Sequence, residues 1–486
     1  MKKIYLLLKI LGILYVLLLI PSPQDKTPIQ TASKTPFTWN QDSLWKNLEN
    51  RFITARALSS IKRDSMVGKL CDEADLLLTT YMDTVYSADS KIYDSIEHAF
   101  FRIAPVIAAQ EKKSDWHLRY YNSVRQKLKK DSRLWDMSAT SARHTSYRIL
   151  YGMRAAVEEI LLQSDKDEFT STMSVTDAPS RTPSIDVLGI KVHSGDLLVS
   201  RGGAEVSAFI SRGNDYPGNF SHVALVYIDE ESNTPYFVEA HIEKGVAIAS
   251  LDSYLKDKKL RFMVMRPRSD LPEIQLNPML PHEVSEFMYE EAQKRYIPYD
   301  FKMDYRDASA MFCSEVGSFA YKRYGISLWE FESTISSNGI INWLSAFGVA
   351  NFVTQMPSDL EYDPMLSIVA EWIDKDVLFQ DHLDNAVMDA LISLANSGEE
   401  LSYSIWALPL ARVVKLYSSV LNLFGKEGVI PKGMNAQTAL KNNYFVALFQ
   451  DLKSRTLKKA ERFEMENGYL PPYWQLVQFA EASLAE

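Results

Sequence analysis

Three short motifs carry a thiol, an imidazole and a carboxylate that could assemble into one nucleophile site. Cys313 stands in Phe312-Cys313-Ser314-Glu315-Val316, His222 in Ser221-His222-Val223-Ala224, and Glu239 in Phe237-Val238-Glu239-Ala240. A cysteine attacks carbonyls when its thiolate is stabilised, a base lies within reach, and a third group holds that base in its useful tautomer. Val316, Phe319, Ala320 and Tyr324 repeat behind Cys313 at helical spacing, which puts the thiol at or near a helix start. Free backbone N–H groups and the positive end of the dipole there favour a thiolate and can help bind a developing oxyanion. His222 opens an apolar strand and Glu239 lies in the next one. A turn centred near Glu230-Glu231 sets the two across from one another on one face. His241 shares Glu239's face, because strand side chains repeat every two residues, and is the second candidate base. A lone cysteine or a lone strand-edge histidine is more often structural than catalytic; the conjunction of motifs carries the reading.

The elements that must hold these groups are short strands between turn residues: Asp196–Ser200, His222–Ile228, Tyr236–His241, Val246–Ala249 and Phe262–Met265. Helices are expected over 281–295 and from Cys313 to about Tyr324, ending at Gly325. The insert Arg201–Phe220, with glycines at 202, 203, 213 and 218, is expected to form a mobile lip over the site. On either side the pattern is helical: 38–165, where Leu44, Leu48, Phe52, Ala55 and Leu58 keep three- and four-residue spacing, and 346–486. Polar stretches at 24–37 and 164–183 read as linkers. The expected architecture is α+β, a compact unit over 183–345 between two helical regions.

The N-terminus has the layout of an export signal. Lys2-Lys3 precede an apolar run from Ile4 to Ile20, broken only by Lys9, and Pro21-Ser22-Pro23 ends it. The run is slightly short of the ~20 residues of a spanning helix, and no small-residue cleavage site follows it, so residues 1–23 read as a signal peptide or a membrane anchor. An exported, periplasmic or extracytoplasmic protein is expected, with membrane association through residues 4–20.

At 486 residues, 46% hydrophobic and 24% charged, the chain has an ordinary globular composition. A net charge of −9 argues against a nucleic-acid partner. Lys112, Lys113, Lys127, Lys129 and Lys130 read as a solvated helix face. Two cysteines exclude a disulfide framework, and Cys71 is expected to be a buried, inert thiol. His222, Glu239 and Cys313 have the ligand types for a metal but no local ligand spacing, so neither metal nor cofactor is expected. His282-Glu283-Val284-Ser285-Glu286 begins like a zinc-protease helix, but Glu286 stands where a second histidine is required; it reads as an exposed helix start.

Gly195-Asp196, Ser221-His222-Val223, Val238-Glu239-Ala240 and Phe312-Cys313-Ser314-Glu315, in that order, resemble the circularly permuted papain-like amidases of the YaeF/YiiX type, relatives of the NlpC-like cysteine peptidases. The resemblance covers 183–345. It implies a small antiparallel sheet or half-barrel packed on helices, with Cys313 as nucleophile, His222 as general base and acid, and Glu239 as the orienting carboxylate. It further implies a site-lining hydroxyl at Tyr299, with Tyr305 as the alternative, and a structural turn at Asp196. The expected activity is hydrolysis of an amide through a thioester, on a peptide, a peptidoglycan stem or a lipid-like acyl amide. Phe209, Phe220 and Met311 fit an apolar pocket. The alternatives are a non-catalytic scaffold that keeps the fold, or a lipid-directed acyltransferase or thioesterase, although the nucleophile context typical of the latter is missing around Cys313.

Overall fold

The computed structural model describes residues 2–22, 31–32, 34–39, 42–110, 115–164, 172–174, 178–374 and 376–486. An apolar helix, α1 (Lys2–Leu19), comes first. A helical half follows: α2 (Asp42–Arg56), α3 (Ser60–Met82), α4 (Lys91–Ala108), α5 (Trp116–Asp131), α6 (Thr140–Tyr147) and α7 (Met153–Leu162). The middle of the chain holds β1 (Thr172–Ser174), the hairpin β2 (Ser184–Val187) and β3 (Ile190–His193), β4 (Leu197–Gly202), α8 (Glu205–Arg212), β5 (His222–Ile228), β6 (Pro235–His241), β7 (Gly245–Ser250), α9 (Leu251–Lys256) and β8 (Lys259–Pro267). After it run α10 (Pro272–Leu276), α11 (Leu280–Lys294), α12 (Cys313–Arg323), β9 (Ser333–Thr334), α13 (Asn338–Ala346), β10 (Val353–Thr354) and β11 (Leu366–Ile373). The chain closes on α14 (Leu378–Asn396), α15 (Leu408–Leu423), α16 (Ala436–Asn467) and α17 (Tyr473–Leu484).

Seven strands pair antiparallel in the order β1-β11-β8-β4-β5-β6-β7; hairpin β2–β3 stands apart from that sheet. Both faces are buried, so the strands read as continuous apolar runs, as sheets covered on two sides do. Leu197, Val199, Val223 and Leu225 pack with Val284, Met288, Val316 and Ala320 of α11 and α12. Leu198, Ala224, Val226 and Phe237 turn the other way, onto Val187, Val192 and Tyr254. Helix α12 lies close on β4 at Gly317, where a Cβ would come 2.7 Å from Leu197 Cδ2. A side chain there would push Leu197 aside.

The structure departs from the expectations in four places. Residues 366–373 are not helical; they form β11, between β1 and β8, so the sheet draws on chain beyond the expected 345 boundary. Buried Glu371 in this strand is neutralised by Arg125 of α5 at 2.7 Å, a partner 246 positions away that no local pattern announces. The insert 201–220 is not a mobile lip. It contains α8, and Arg212 binds Asp389 through Nε at 2.7 Å and Nη2 at 2.8 Å, while Asp215 accepts from Ser336 N–H at 2.8 Å. Lys127 and Lys129 are not on a solvated face: Lys127 pairs with Asp131 at 2.6 Å and Lys129 donates to the Glu361 carbonyl at 2.7 Å, both out of solvent. Lys112 and Lys113 lie outside the described residues. His282 is buried rather than exposed, with Nδ1 2.9 Å from Ser194 Oγ.

Candidate active site

The thiol is the first residue of α12. Glu315, three residues after Phe312, accepts the Phe312 N–H at 2.8 Å and so ties the first turn in place. Cys313 is buried, and its Sγ lies 4.0 Å from the carbonyl oxygen of Ser221, the residue before His222. Burial pushes the Glu315 carboxyl up to about 9, helped by the charges of Asp300, Asp304 and Cys313. A neutral acid at this place spares the thiol a second negative charge.

Strand β5 begins at His222 and brings the imidazole to the same rim. His222 Nε2 is 2.7 Å from Glu239 Oε2. Burial alone would depress this imidazole, but hydrogen bonds to Cys313 and to Glu239, with the charges of both, override it and push the group up to about 10. The sequence expectation of a direct cross-strand pair is off by one step. Ala224 sits opposite Glu239, so His222 is diagonal to it on the same face. The turn centres between Glu231 and Ser232, one residue later than expected, which slides the pairing by two and leaves the face unchanged. His241 binds the other carboxylate oxygen, Nε2 to Oε1 at 2.9 Å, and its ring centroid is 5.5 Å from that of His222. Burial would raise Glu239, yet the two imidazoles hold it well below the usual carboxylate range.

Tyr299 forms a backbone bridge with Met311, two residues before Cys313. Burial first, then the charge of Cys313, raises its hydroxyl well above the ordinary value. Tyr305 binds Glu332. Asp196 is built into the scaffold: it accepts the His193 N–H at 2.7 Å and pairs with Arg266 at 2.8 Å. Phe209 does not line this site, because it packs with Trp343 and Phe445 in the C-terminal helices, while Phe220 and Met311 are fully buried under the sheet. Cys71 is a separate free thiol that burial pushes up to about 12. Sequence reasoning missed Glu315 as a contributor; its position three residues after the helix cap was the available signal.

The donor atoms of His222, Glu239 and His241 lie within 4.8 Å of one another, close enough for one metal ion. Residues 191–370 match the family described as permuted papain-like amidase enzyme, YaeF/YiiX, C92 family. The match covers 180 of the 486 residues and supports a cysteine amidase or peptidase at family level for this stretch, which lies between helical regions. Among solved structures, one described as metalloprotein yiiX from Escherichia coli O157:H7 is 18% identical, covering 37% of this chain and 98% of that chain, with a TM-score of 0.30. A search of curated proteins finds no match to the sequence.

Proposed function

We propose that the domain hydrolyses an amide through a covalent thioester on Cys313. The observation that carries this reading is the position of His222, hydrogen-bonded to Glu239, with the Cys313 thiol against the Ser221 carbonyl one residue before it. An imidazole raised to about 10 keeps its proton at neutral pH, the state that pairs with a thiolate. The thiolate adds to the substrate carbonyl, and the tetrahedral oxyanion is met by the N–H groups at the start of α12, with the Tyr299 hydroxyl beside them. His222 passes its proton to the departing amine, leaving the acyl group on sulfur. Water, deprotonated by the now neutral imidazole, adds to the thioester and expels the thiolate. Glu239 orients the ring throughout. Peptides, peptidoglycan stems and lipid-like acyl amides have the required bond. Export and attachment to the cell envelope through residues 4–20 remain part of this reading.

The test is to trap and weigh the acyl-enzyme. An adduct on Cys313 in the wild type, absent in Cys313→Ala, supports the mechanism; its mass names the acyl half. A thiol-directed electrophile should label Cys313 rapidly at neutral pH and slowly in His222→Ala. Equal labelling of both proteins would sink the proposal.

The clustered donors favour a second reading. Two imidazoles and a carboxylate suit zinc, which supplies Lewis acidity to water or a carbonyl when a coordination position stays open. Stripping metal with a chelator separates the two. Activity should persist or rise in a thiol hydrolase, because freeing His222 restores its partner to Cys313, and should vanish if a metal does the work.

A further inference from the structure

Helix α15 is amphipathic in the wrong sense for a helix that only closes a core. Leu408, Ala411 and Ser418 face the body of the protein. Leu410, Val413, Leu416, Tyr417, Val420 and Leu423 recur every three or four residues along the opposite side and are exposed, Leu416 to 67% and Leu423 to 84%. Trp406, 68% exposed, stands just ahead of the helix. Contiguous exposed apolar surface of this kind marks an interaction site.

Helix α1 lies against this one. Arg412 donates to the Leu18 carbonyl at 3.0 Å and the Ile20 carbonyl at 2.6 Å, and the Ser22 N–H donates to Gln437 Oε1 at 2.8 Å. Ile13 to Leu17 of α1 are exposed as well, so the apolar surface continues from α15 onto it. Charge points to the partner. Residues 405–433 carry Arg412, Lys415, Lys426 and Lys432 against Glu427 alone, and residues 2–20 carry three lysines and no acid, in a chain of net charge −9. Local basic charge beside an apolar stripe fits anionic headgroups over acyl chains. No helix among the described residues is long and apolar enough to cross a membrane.

We infer that the outer stripe of α15, together with α1, docks this protein on an anionic lipid bilayer. The surface also adjoins the candidate active site. Glu427, just past α15, pairs at 3.0 Å with Lys244, three residues after His241, and Lys432 Nζ sits 4.2 Å from the centre of the Tyr296 ring. Docking therefore holds the rim that carries His222 and Glu239 next to the bilayer. The inference stands whether or not Cys313 is catalytic.

The test uses the full chain and vesicles of phosphatidylcholine with one quarter phosphatidylglycerol, some acyl chains brominated. Trp406 in contact with lipid is quenched by bromine, and that share of quenching should disappear in Trp406→Phe. The combined variant Leu410→Glu, Leu416→Glu, Leu423→Glu should bind these vesicles at least tenfold more weakly, and wild type should bind phosphatidylcholine alone more weakly than the mixture. Unchanged quenching in Trp406→Phe places α15 away from lipid and overturns the inference, as does unchanged binding of the triple variant. A dimer by ultracentrifugation that persists with vesicles present and Trp406 unquenched assigns the face to a second copy instead. Should the triple variant fail to fold, the Trp406→Phe comparison decides alone.

Discussion

His222 and His382 each bind a buried glutamate through Nε2, His222 to Glu239 at 2.7 Å and His382 to Glu158 at 2.8 Å. In both pairs the imidazole is raised and the glutamate lowered, against the effect of burial, because opposite charges and hydrogen bonds win. Their surroundings differ. Glu158 is also held by Arg261 at 2.5 Å, and Arg261 is bound to Asp381 at 2.6 Å. The His382 side chain is 6% exposed, whereas that of His222 is 20% exposed and meets a thiol. A histidine–carboxylate pair is therefore no site by itself. One pair sits where helices cross the sheet and closes charge against charge; the other sits at a rim, with one nitrogen left for a reaction partner.

The sharpest way to break this contrast is to remove each histidine. His222→Ala should lower kcat/KM per folded molecule by about 10³-fold, the scale of a lost acid–base group and far beyond what its loss of stability removes. His382→Ala should do the reverse, lowering stability while each folded molecule stays active. Turnover and thermal melts on both variants check this.

Arg261→Ala strikes the interior cluster harder. It takes the nearest cation from both Glu158 and Asp381, leaving Glu158 to His382 and Asp381 to Arg201 at 3.5 Å, so unfolding in urea should show a loss of about 3 kcal/mol.

Glu239→Gln should cost about 10²-fold in kcat/KM through tautomer and orientation. Removing that charge lowers the His222 imidazole, so the alkaline limb of the rate profile moves to lower pH from its wild-type position near 10. The linkage has a defined sign. An imidazole raised in the fold stabilises it fully below its unfolded value of about 6.5, and the gain is lost as pH climbs through about 10. The stability gap between wild type and Glu239→Gln should narrow across that window.

The smallest effect is expected at Glu315. Its folded value of about 9 lies above the ordinary 4.5, so the fold holds the extra proton and loses stability as pH rises between those values. Glu315→Gln keeps an oxygen for the Phe312 N–H and removes that loss. Its melting temperature should match wild type near pH 4 and exceed it near pH 8.

Much of the site was legible because its signals are local. Cys313 heads a run with helical spacing, His222 opens an apolar strand, and the period of two keeps Glu239 and His241 on one face whatever the turn does by whole residues. Asp196 as a turn residue was legible for the same reason. The surroundings of Tyr299 and Tyr305 were not, since both lie in one loop and only packing sets the first beside Met311 and the second against Glu332. Strand β11 was hidden by its own charge. Leu366-Ser367-Ile368-Val369-Ala370-Glu371-Trp372-Ile373 has no clean alternation, because Arg125 lets Glu371 sit inside.

The sequence by itself determined the chemistry on offer, a thiol, an imidazole and a carboxylate, and the local frames that present each, because helix starts and strand faces depend on residues a few positions apart. Tertiary structure decided which groups meet: the diagonal of His222 and Glu239, the thiol at Ser221, the charges enclosed around Arg261, and the outward turn of α15. Those outcomes depend on contacts between residues tens to hundreds of positions apart, where burial and charge compensation are settled by the whole fold.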